Sequence, residues 1–411
     1  MPSARTVRPA VEGGRAYGAS PLTGDARHAA FDRARPHICF VAPNAWPVFS
    51  GDRKIKLVGG AEVQQSILAR LFHRNGYRVS MICLDFGQPQ GAVVDGIRVL
   101  KTYPPDAGIP VLRFFHPRLT SVWSALGEVD ADVYYQRSAG MLTAVMAQFC
   151  RRHGKRSIYA GASDMDFMPR KQQIRFARDR WLFERGLSQV DRIVVQNRTQ
   201  MESCRVHYGR DPILIPSCYE LPESSKPTRG DAVLWVGTVH DYKQPELLLE
   251  LARRLPNRRF VMIGGSAAPG ERLHPGYYEA IRDQAAKLPN VEMTGFLPLE
   301  QVEPWFDRGR VLVNTSVYEG MPNTFLQAWA RGIPTLATVD VGARVNGKPV
   351  YEKFTRIEEG AAEIERLCAD DLYWARASAR SLEYFNREHS SNEVLRRYAR
   401  LFDELTAVAK K

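Results

Sequence analysis

The sequence predicts an α/β protein built from two doubly wound, Rossmann-like domains. Its 411 residues exceed what one hydrophobic core usually covers, so two domains of roughly 180 residues each are expected. Short apolar strands alternate with helical stretches along most of the chain, a pattern typical of parallel sheets covered by helices. Residues 217–230, rich in Pro, Ser and charge, separate two such regions and predict a linker.

These observations divide the chain into five parts. The start of the chain is rich in Arg, Gly, Pro and Ala without sustained periodicity, which predicts a disordered basic tail. The last periodic stretch predicts a C-terminal helix. The predicted bounds are 1–35 for the tail, 36–216 for the first domain, 217–230 for the linker, 231–390 for the second domain and 391–411 for the final helix.

The net charge restricts the class of partner. Lys and Arg number 57 against 45 Asp and Glu, which gives a formal net charge of +12. Such a balance implies an acidic partner, which can be a nucleic acid, an anionic lipid or the phosphates of a substrate. No zinc finger, recognition-helix module or aromatic strand platform is visible, so nucleic acid is not expected.

The cysteines and the hydropathy indicate the compartment. The six cysteines are scattered without CxxC or other metal-ligand spacing, which predicts reduced thiols and no metal site. The chain has no run of 18 apolar residues and no apolar signal core, so we expect a cytoplasmic protein. Contact with an anionic membrane would then be peripheral, at its inner face.

The first domain opens with an apolar strand at residues 37–42 and a loop that leads to Gly59 and Gly60. A helix of period 3.6 follows, so the glycine pair predicts an anion or sugar site at a helix N-terminus. A flexible hinge is the alternative. Further strands are predicted at 78–84, 97–101, 132–135, 157–159 and 192–195, and helices at 139–152, 171–186 and 198–208.

Two acids, Asp164 and Asp166, follow the strand predicted at 157–159. The carboxyl ends of parallel strands lie at one edge of a sheet, so Asp164 is expected near Gly60 and is a candidate for the reacting centre. Structural capping by either acid is the alternative.

Two surface features are also predicted. The helix at 171–186 is strongly basic, which indicates a solvated face or a surface that steers an anionic acceptor. Residues 109–126 mix Phe114, Phe115 and Trp123 with arginines, which fits contact with a bilayer surface. The alternative is a buried helix interrupted at Pro117.

The second domain opens with a strand, Ala232–Val236, which Gly237 ends. The loop 238–244 precedes a helix that begins with Pro245, a favoured residue at the first helical position. Lys243 stands at the end of this loop, so its ammonium can reach a diphosphate at the carboxyl edge of the sheet.

The stretch 311–338 is the most informative part of the chain. An apolar strand runs into a loop that carries Glu319. Thr324 stands three residues before Gln327, a capping-box spacing that predicts the start of a helix. The backbone amides around Met321 to Thr324 are therefore expected at a helix N-terminus, where they attract a phosphate.

Glu319, seven residues and Gln327 resemble the signature of the family-4 retaining glycosyltransferases of GT-B fold. In that family a Glu, seven residues and a second Glu hold a nucleotide-sugar donor. The resemblance implies two domains facing across a cleft, with the last helix crossing back to the first domain. Gln327 replaces the second Glu, so it offers the ribose one acceptor and one donor group in place of a carboxylate.

The resemblance also indicates which residues would bind the diphosphate of the donor. In the family an Arg after a glycine and a later Lys clamp it; Lys243 matches the Lys, while Thr238 stands where the Arg is expected. The other donor-binding candidates it implies are Gly237, Gly264, Gly295, Phe296, Met321, Pro322, Asn323 and Thr324. A glycine loop beside donor and acceptor corresponds to Gly59 and Gly60.

The implied reaction moves a hexose from a nucleotide-diphosphate sugar to a glycan or lipid-linked acceptor, with retention of configuration and without a metal or cofactor. Lys243 would stabilise the departing diphosphate and Glu319 would orient the sugar hydroxyls, so both are the catalytic candidates. Two other classes stay open. One is a GT-B sugar-nucleotide epimerase or hydrolase, and the other is a non-catalytic relative, which the residues Thr238 and Gln327 favour.

Overall fold

The computed structural model describes residues 35–52, 59–108, 114–226, 230–266 and 275–407. Within these ranges the chain forms one sheet of eight strands, a second of six and a small two-stranded hairpin. The predicted basic tail lies outside the described residues except for Arg35.

The first sheet is almost entirely parallel, and its central strands are buried on both faces. The apolar sequence of its first strand, ICFV, suits this position because helices cover both sides of such a sheet. Its strands are β1 (Ile38–Val41), β2 (Val79–Cys83), β3 (Ala92–Val94), β4 (Ile97–Lys101), β5 (Val133–Arg137), β6 (Arg156–Ala160), β7 (Arg192–Val195) and β8 (Ile213–Leu214). Their spatial order is β3-β4-β2-β1-β5-β6-β7-β8, with β3 antiparallel to β4.

The helices of this domain follow the predicted alternation, with one late start. They are α1 (Trp46–Ser50), α2 (Gly60–Arg74), α3 (Thr120–Val129), α4 (Leu142–His153), α5 (Ala177–Gln189) and α6 (Arg198–Tyr208). The prediction that α5 begins at residue 171 is wrong, because Arg170 has a φ of 65° and Phe176 is extended. Lys171 and Arg175 therefore precede the helix.

The second sheet has the same layout. Its strands are β9 (Ala232–Val236), β10 (Arg259–Ile263), β11 (Val291–Gly295), β12 (Gly309–Asn314), β13 (Thr335–Ala337) and, after the hairpin β14 (Arg344–Val345) and β15 (Lys348–Pro349), β16 (Glu352–Lys353). The order β11-β10-β9-β12-β13-β16 is parallel throughout. The remaining helices are α7 (Pro245–Arg254), α8 (Tyr277–Ala285), α9 (Leu299–Phe306), α10 (Asn323–Trp329), α11 (Ile357–Ala369), α12 (Asp371–Glu388) and α13 (Ser391–Ala407).

The last helix, α13, packs on the first domain, as the resemblance implied. Its aromatic residues Tyr398 and Phe402 lie with their ring centroids 5.3 Å from that of Phe72 on α2. The stripe from Val394 to Leu405 belongs to the same hydrophobic core as β1 and β2. None of the helices within the described ranges is both long and apolar enough to cross a bilayer.

The chain crosses between the domains twice, and the two crossings touch. His389, at the end of α12, bonds through Nδ1 to the carbonyl of Ser217 at 2.6 Å, and Tyr219 N donates to the His389 carbonyl. Ser217 and Tyr219 are buried, so the start of the predicted linker is packed between the domains. The two sheets thus turn their strand ends toward a shared cleft.

Candidate functional site

The cleft between the domains is lined by the loops at the carboxyl ends of both sheets. In the second sheet the strand order reverses between β9 and β12, since β9 leads to β10 on one side and β12 lies on the other. Such a switch point leaves a crevice between the two following loops, and ligands of open α/β sheets bind there. Lys243 comes from the loop after β9 and Glu319 from the loop after β12.

Lys243 and Glu319 form an ion pair at this crevice. The Lys243 side chain is 19% exposed and that of Glu319 is 13% exposed, so both can reach a ligand in the cleft while screened from bulk solvent. Glu319 Oε1 also accepts bonds from Ser316 Oγ at 2.6 Å and Asn314 Nδ2 at 3.3 Å. Within the described ranges these donors all converge on Oε1, which leaves Oε2 for a ligand.

The loop that carries Lys243 is fixed to the loop that carries Glu319. Thr315 Oγ1 donates to the Lys243 carbonyl at 2.5 Å, and Val317 N donates to the Tyr242 carbonyl at 2.8 Å. The rings of Tyr242 and Tyr318 stack with centroids 4.9 Å apart. The ammonium is therefore held beside the carboxylate by contacts that no local sequence pattern encodes.

Glycines form one wall of the same crevice. Gly264 N donates to the Gly295 carbonyl at 3.0 Å, and a Cβ on Gly264 would lie 1.8 Å from the Gly237 oxygen. Gly295 has a φ of 74°, which favours glycine, and the next residue, Phe296, lines the cleft. The ends of β9, β10 and β11 thus lie so close together that a side chain has no room at Gly264, and their backbone faces the cleft.

The start of α10 differs from the prediction. The helix begins at Asn323, Pro322 precedes it, and no side chain caps it, so the predicted capping box of Thr324 and Gln327 is wrong. Pro322 has the extended backbone of a residue before a helix, which places Thr324 inside the first turn. Met321, Pro322, Asn323 and Thr324 all line the cleft, as predicted for the donor site.

Gln327 is buried and oriented by an acid that the sequence analysis did not identify. Its Nε2 donates to Glu303 Oε1 at 3.0 Å, so its amide oxygen is the group left for a ligand. Glu303 Oε2 accepts from Tyr219 OH at 2.6 Å and Arg331 Nη2 at 2.8 Å. Arg331 also pairs with Asp307. A buried charged cluster thus supports this part of the cleft.

Asp164 faces the second domain from the first sheet. Its Oδ1 accepts from Asn197 Nδ2 at 3.1 Å and Gln200 Nε2 at 3.0 Å. Burial raises the pKa of Asp164, and the nearby charge of Glu319 raises that pKa further. Asp166 instead closes a capping box with Ser163, the structural role given as an alternative. No group of three or more His, Cys, Asp and Glu side chains among the described residues could hold a metal ion.

Direct contacts bridge the cleft. Asn323 Nδ2 donates to the Gly60 carbonyl at 3.1 Å, and Gln64 Nε2 donates to Asn323 Oδ1 at 2.9 Å. A Cβ on Gly320 would lie 2.8 Å from the Ala162 oxygen. The loops of Gly59–Gly60 and of Ala162 therefore meet the loop of Glu319, and the two domains enclose the site.

The structure brings most of the predicted residues together. The cleft is lined by Gly59, Gly60, Gly237, Thr238, Lys243, Gly264, Phe296, Glu319, Met321, Pro322, Asn323, Thr324 and Gln327. Gly295 and Asp164 are not among the residues that line the cleft. The structure adds Arg137 and Glu303, whose only sequence signals are an arginine closing an apolar strand and an acid on an amphipathic helix.

Two family models match the chain. Residues 58–219 match the model described as Glycosyltransferase Family 4, and residues 230–370 match the model described as Glycosyl transferases group 1. A curated relative, one of the subunits of the phosphatidylinositol N-acetylglucosaminyltransferase of Arabidopsis thaliana, is 26% identical over 176 residues. That alignment covers 40% of this chain and 37% of the relative, so the match spans well under half of the relative's length.

Solved structures share the fold over nearly the whole chain. Sucrose-phosphate synthase of Thermosynechococcus elongatus has a TM-score of 0.72 at 16% identity, covering 91% of this chain and 100% of that one. Anabaena HepE in complex with UDP and glucose has a TM-score of 0.67 at 15% identity, covering 89% and 99%. The catalytic domain of Arabidopsis thaliana starch synthase IV bound to ADP and acarbose has a TM-score of 0.66 at 11% identity, covering 91% and 99%.

These matches agree with the architecture described above. The solved structures align with this chain across both of its domains, and the two matched family models follow one another along the chain in the same order as the two domains. The chain therefore has the GT-B fold and belongs to the group 1 glycosyltransferases of family-4 type.

Proposed function

We propose that the protein transfers a sugar from a nucleotide-diphosphate sugar to a glycan or lipid-linked acceptor, with retention of anomeric configuration and without a metal ion. The observation that carries this proposal is the Lys243–Glu319 pair at the switch point of the second sheet. A cation and a hydrogen-bond acceptor stand side by side there, which suits a ligand with an anionic diphosphate next to a hydroxyl-rich sugar.

Each part of such a donor has a suitable group in the crevice. In the proposed complex the diphosphate lies against Lys243 and the backbone of Gly237, and the sugar lies beside the Oε2 of Glu319. The ribose meets the amide oxygen of Gln327, and the base lies at Phe296. Support comes from the similar fold of HepE, which was solved with UDP and glucose, and of starch synthase IV, which was solved with ADP.

In the proposed reaction these residues act mainly through electrostatic interactions. The bond between the anomeric carbon and the diphosphate oxygen breaks while the acceptor oxygen bonds to that carbon from the same face. Lys243 stabilises the negative charge that grows on the departing diphosphate. The acceptor proton passes to an oxygen of that leaving group. The contacts of Asn323 and Gly320 with the first domain exclude water, which would otherwise hydrolyse the donor.

The test is a product assay. Purified protein is incubated with UDP-glucose, UDP-N-acetylglucosamine, GDP-mannose and ADP-glucose, each with a panel of glycans and lipid-linked acceptors. We expect one donor to yield a new glycoside whose anomeric proton coupling in NMR matches that of the donor, with the same rate in EDTA. Hydrolysis or epimerisation of the donor without acceptor, or an inverted product, would contradict the proposal.

Restoring the family's second Glu at position 327 is expected to harm this protein. In Gln327→Glu the new carboxylate would face Glu303 Oε1, which lies 3.0 Å from the present amide nitrogen. Like charges in a buried site repel, and a hydrogen bond is lost, so we expect a loss of roughly 1–3 kcal/mol in stability and no gain in nucleotide affinity. Thermal unfolding and calorimetric titration with nucleoside diphosphates measure both.

The matched control exchanges the two groups. Gln327→Glu combined with Glu303→Gln again pairs one amide with one carboxylate, so the double variant is expected to recover most of the stability that the single variant loses. Tighter nucleotide binding by Gln327→Glu alone, with unchanged stability, would show that Glu303 does not set the chemistry at position 327.

The proposal includes peripheral contact with an anionic membrane. Phe115 and Trp181 are each 61% exposed, and the Arg178 guanidinium stacks 3.9 Å from the ring centroid of Phe114, so the two segments share one surface. Arg185 is exposed one turn from Trp181. Cosedimentation with phosphatidylglycerol vesicles but not with phosphatidylcholine vesicles is expected, and Trp181→Ser should weaken it. Equal sedimentation by this variant would count against this surface.

A further inference from the structure

Arg137 is a buried arginine that forms no direct ion pair with an acid among the described residues. It is the last residue of β5, it is 6% exposed, and it lines the cleft. Its Nη2 donates to the neutral Ser217 Oγ at 3.0 Å, and its buried Nε has no hydrogen-bond partner in the part of the chain that the structure describes. Among those residues no carboxylate oxygen lies within 4.0 Å of the Arg137 guanidinium, the distance that defines an ion pair.

Two other buried arginines in the described ranges show how this fold normally compensates such a charge. Arg310 is 5% exposed and bonds Asp371 and the carbonyls of Leu367 and Cys368. Arg331 is 8% exposed and bonds Glu303 and Asp307. A buried guanidinium without such direct partners is costly, and Glu62 and Asp166 act on Arg137 only from beyond ion-pair distance, which favours a further anion beside it.

The position of Arg137 is that of a ligand site. The order of the first sheet reverses between β1 and β5, so the loop after β5 borders the crevice where ligands bind in such sheets. On the other side of that crevice α2 begins after Gly59 without a side-chain cap. Arg137 is close enough to Glu62, in the first turn of α2, to counteract the effect of burial on the pKa of that acid.

We propose that Arg137 binds an oxyanion carried by the acceptor, either a phosphoryl group or a carboxylate. A guanidinium presents two parallel N–H groups, which match two oxygens of either group. The assignment to the acceptor rests on the proposed function, which assigns the donor diphosphate to the other domain at Lys243. The acceptor would then be a phosphorylated lipid or sugar, or a glycan that contains a uronic acid.

The experiment titrates protein that is already saturated with UDP, so that the donor phosphate site is filled. Inorganic phosphate, glucuronate and neutral glucose are added separately, and binding is measured by calorimetry. We expect phosphate or glucuronate to bind the natural protein and glucose not to bind. Phosphate as the tighter ligand indicates a phosphorylated acceptor, and glucuronate indicates an acidic glycan.

Variants separate this role from a structural one. Arg137→Gln is expected to weaken the binding of the anion by about tenfold or more while changing the affinity for UDP by less than about twofold. Its unfolding temperature without ligand should not fall, because no ion pair is lost, whereas Arg310→Gln should lower it. If Arg137→Gln does not fold, Arg137 has a structural role and the proposal is overturned. Arg137→Lys keeps the positive charge but lacks the two parallel N–H groups of the guanidinium, and in that case it should also fail to fold.

Three results would overturn the proposal. They are the absence of anion binding to the UDP-saturated protein, equal anion binding by Arg137→Gln, and an equal loss of UDP and anion affinity in that variant. If UDP itself does not bind, the donor assignment fails separately. Phosphate is then titrated into Lys243→Ala and into the double variant Lys243→Ala with Arg137→Gln, both without nucleotide. Weaker phosphate binding by the double variant would still support the role of Arg137.

Discussion

Lys243→Ala is expected to lower kcat/KM by about 10²-fold. A hydrogen bond to a charged group is worth roughly 1.5–3 kcal/mol, and the loss of one transition-state contact in an enclosed site costs about 10²–10³-fold in rate. Thr238 stands where the resembled family has an arginine, so in the proposed complex Lys243 would bear more of the stabilisation of the leaving group. Steady-state rates of nucleoside diphosphate release measure the effect, most of which should fall on kcat.

Glu319→Gln tests the other member of the pair. The amide keeps the size of the side chain but removes the charge that holds Lys243, so a loss of at least about tenfold in kcat/KM is expected. Lys287→Ala, an exposed lysine on the same domain, is the matched control and should leave the kinetics unchanged. Near-natural kinetics in both Lys243→Ala and Glu319→Gln would remove these residues from the site.

Breaking the buried cluster behind Gln327 is expected to cause the largest loss of stability. The Arg331 side chain is fully buried and that of Glu303 is 7% exposed. Removing Glu303 leaves Asp307 as the remaining charged partner of the buried Arg331 and leaves Tyr219 and Gln327 without their acceptor, which costs about 3 kcal/mol. Glu303→Ala should therefore lower the unfolding temperature by about 10 °C in a domain of this size, as measured by calorimetry. Nucleotide affinity should fall as well, because Glu303 orients Gln327.

Two comparisons make this result specific. Glu365→Ala breaks an exposed pair with Arg258 and should cost no more than about 1 kcal/mol, because solvent screens exposed charges. Replacing Glu303 and Arg331 together with leucine and methionine should restore part of the loss. Equal effects of Glu303→Ala and Glu365→Ala would mean that the cluster contributes little beyond surface electrostatics.

The sequence predicts the strands, and the sheet edge at which Lys243 and Glu319 stand, because both depend on local patterns. Apolar strands followed by glycine mark the carboxyl edge, and this edge carries Lys243 and Glu319. The predicted start of α10 is wrong because Pro322, with its extended backbone, sets the helix boundary and leaves Thr324 within the first turn. The spacing between Thr324 and Gln327 contains no information about that boundary.

Arg137 and Glu303 could not be predicted because their roles depend on distant contacts. The role of Glu303 comes from the hydrogen bonds that it accepts from Gln327, Tyr219 and Arg331, which lie in other segments of the chain. Arg137 forms no direct ion pair among the residues described, and a missing contact has no signature in a sequence. Sheet order, which places the switch points beside Arg137 and Lys243, likewise follows only from the assembled fold.

The most direct test of the central claim is a thermal-unfolding panel with UDP, GDP, ADP and dTDP on the natural protein and on Lys243→Ala. A ligand at about 100 times its Kd stabilises the folded state by roughly 2.7 kcal/mol, which gives a measurable shift. One nucleoside diphosphate is expected to raise the unfolding temperature of the natural protein and to have little effect on the variant. If none of the four raises it at millimolar concentration, or if both proteins respond equally, Lys243 and the switch point of the second sheet do not form the donor site.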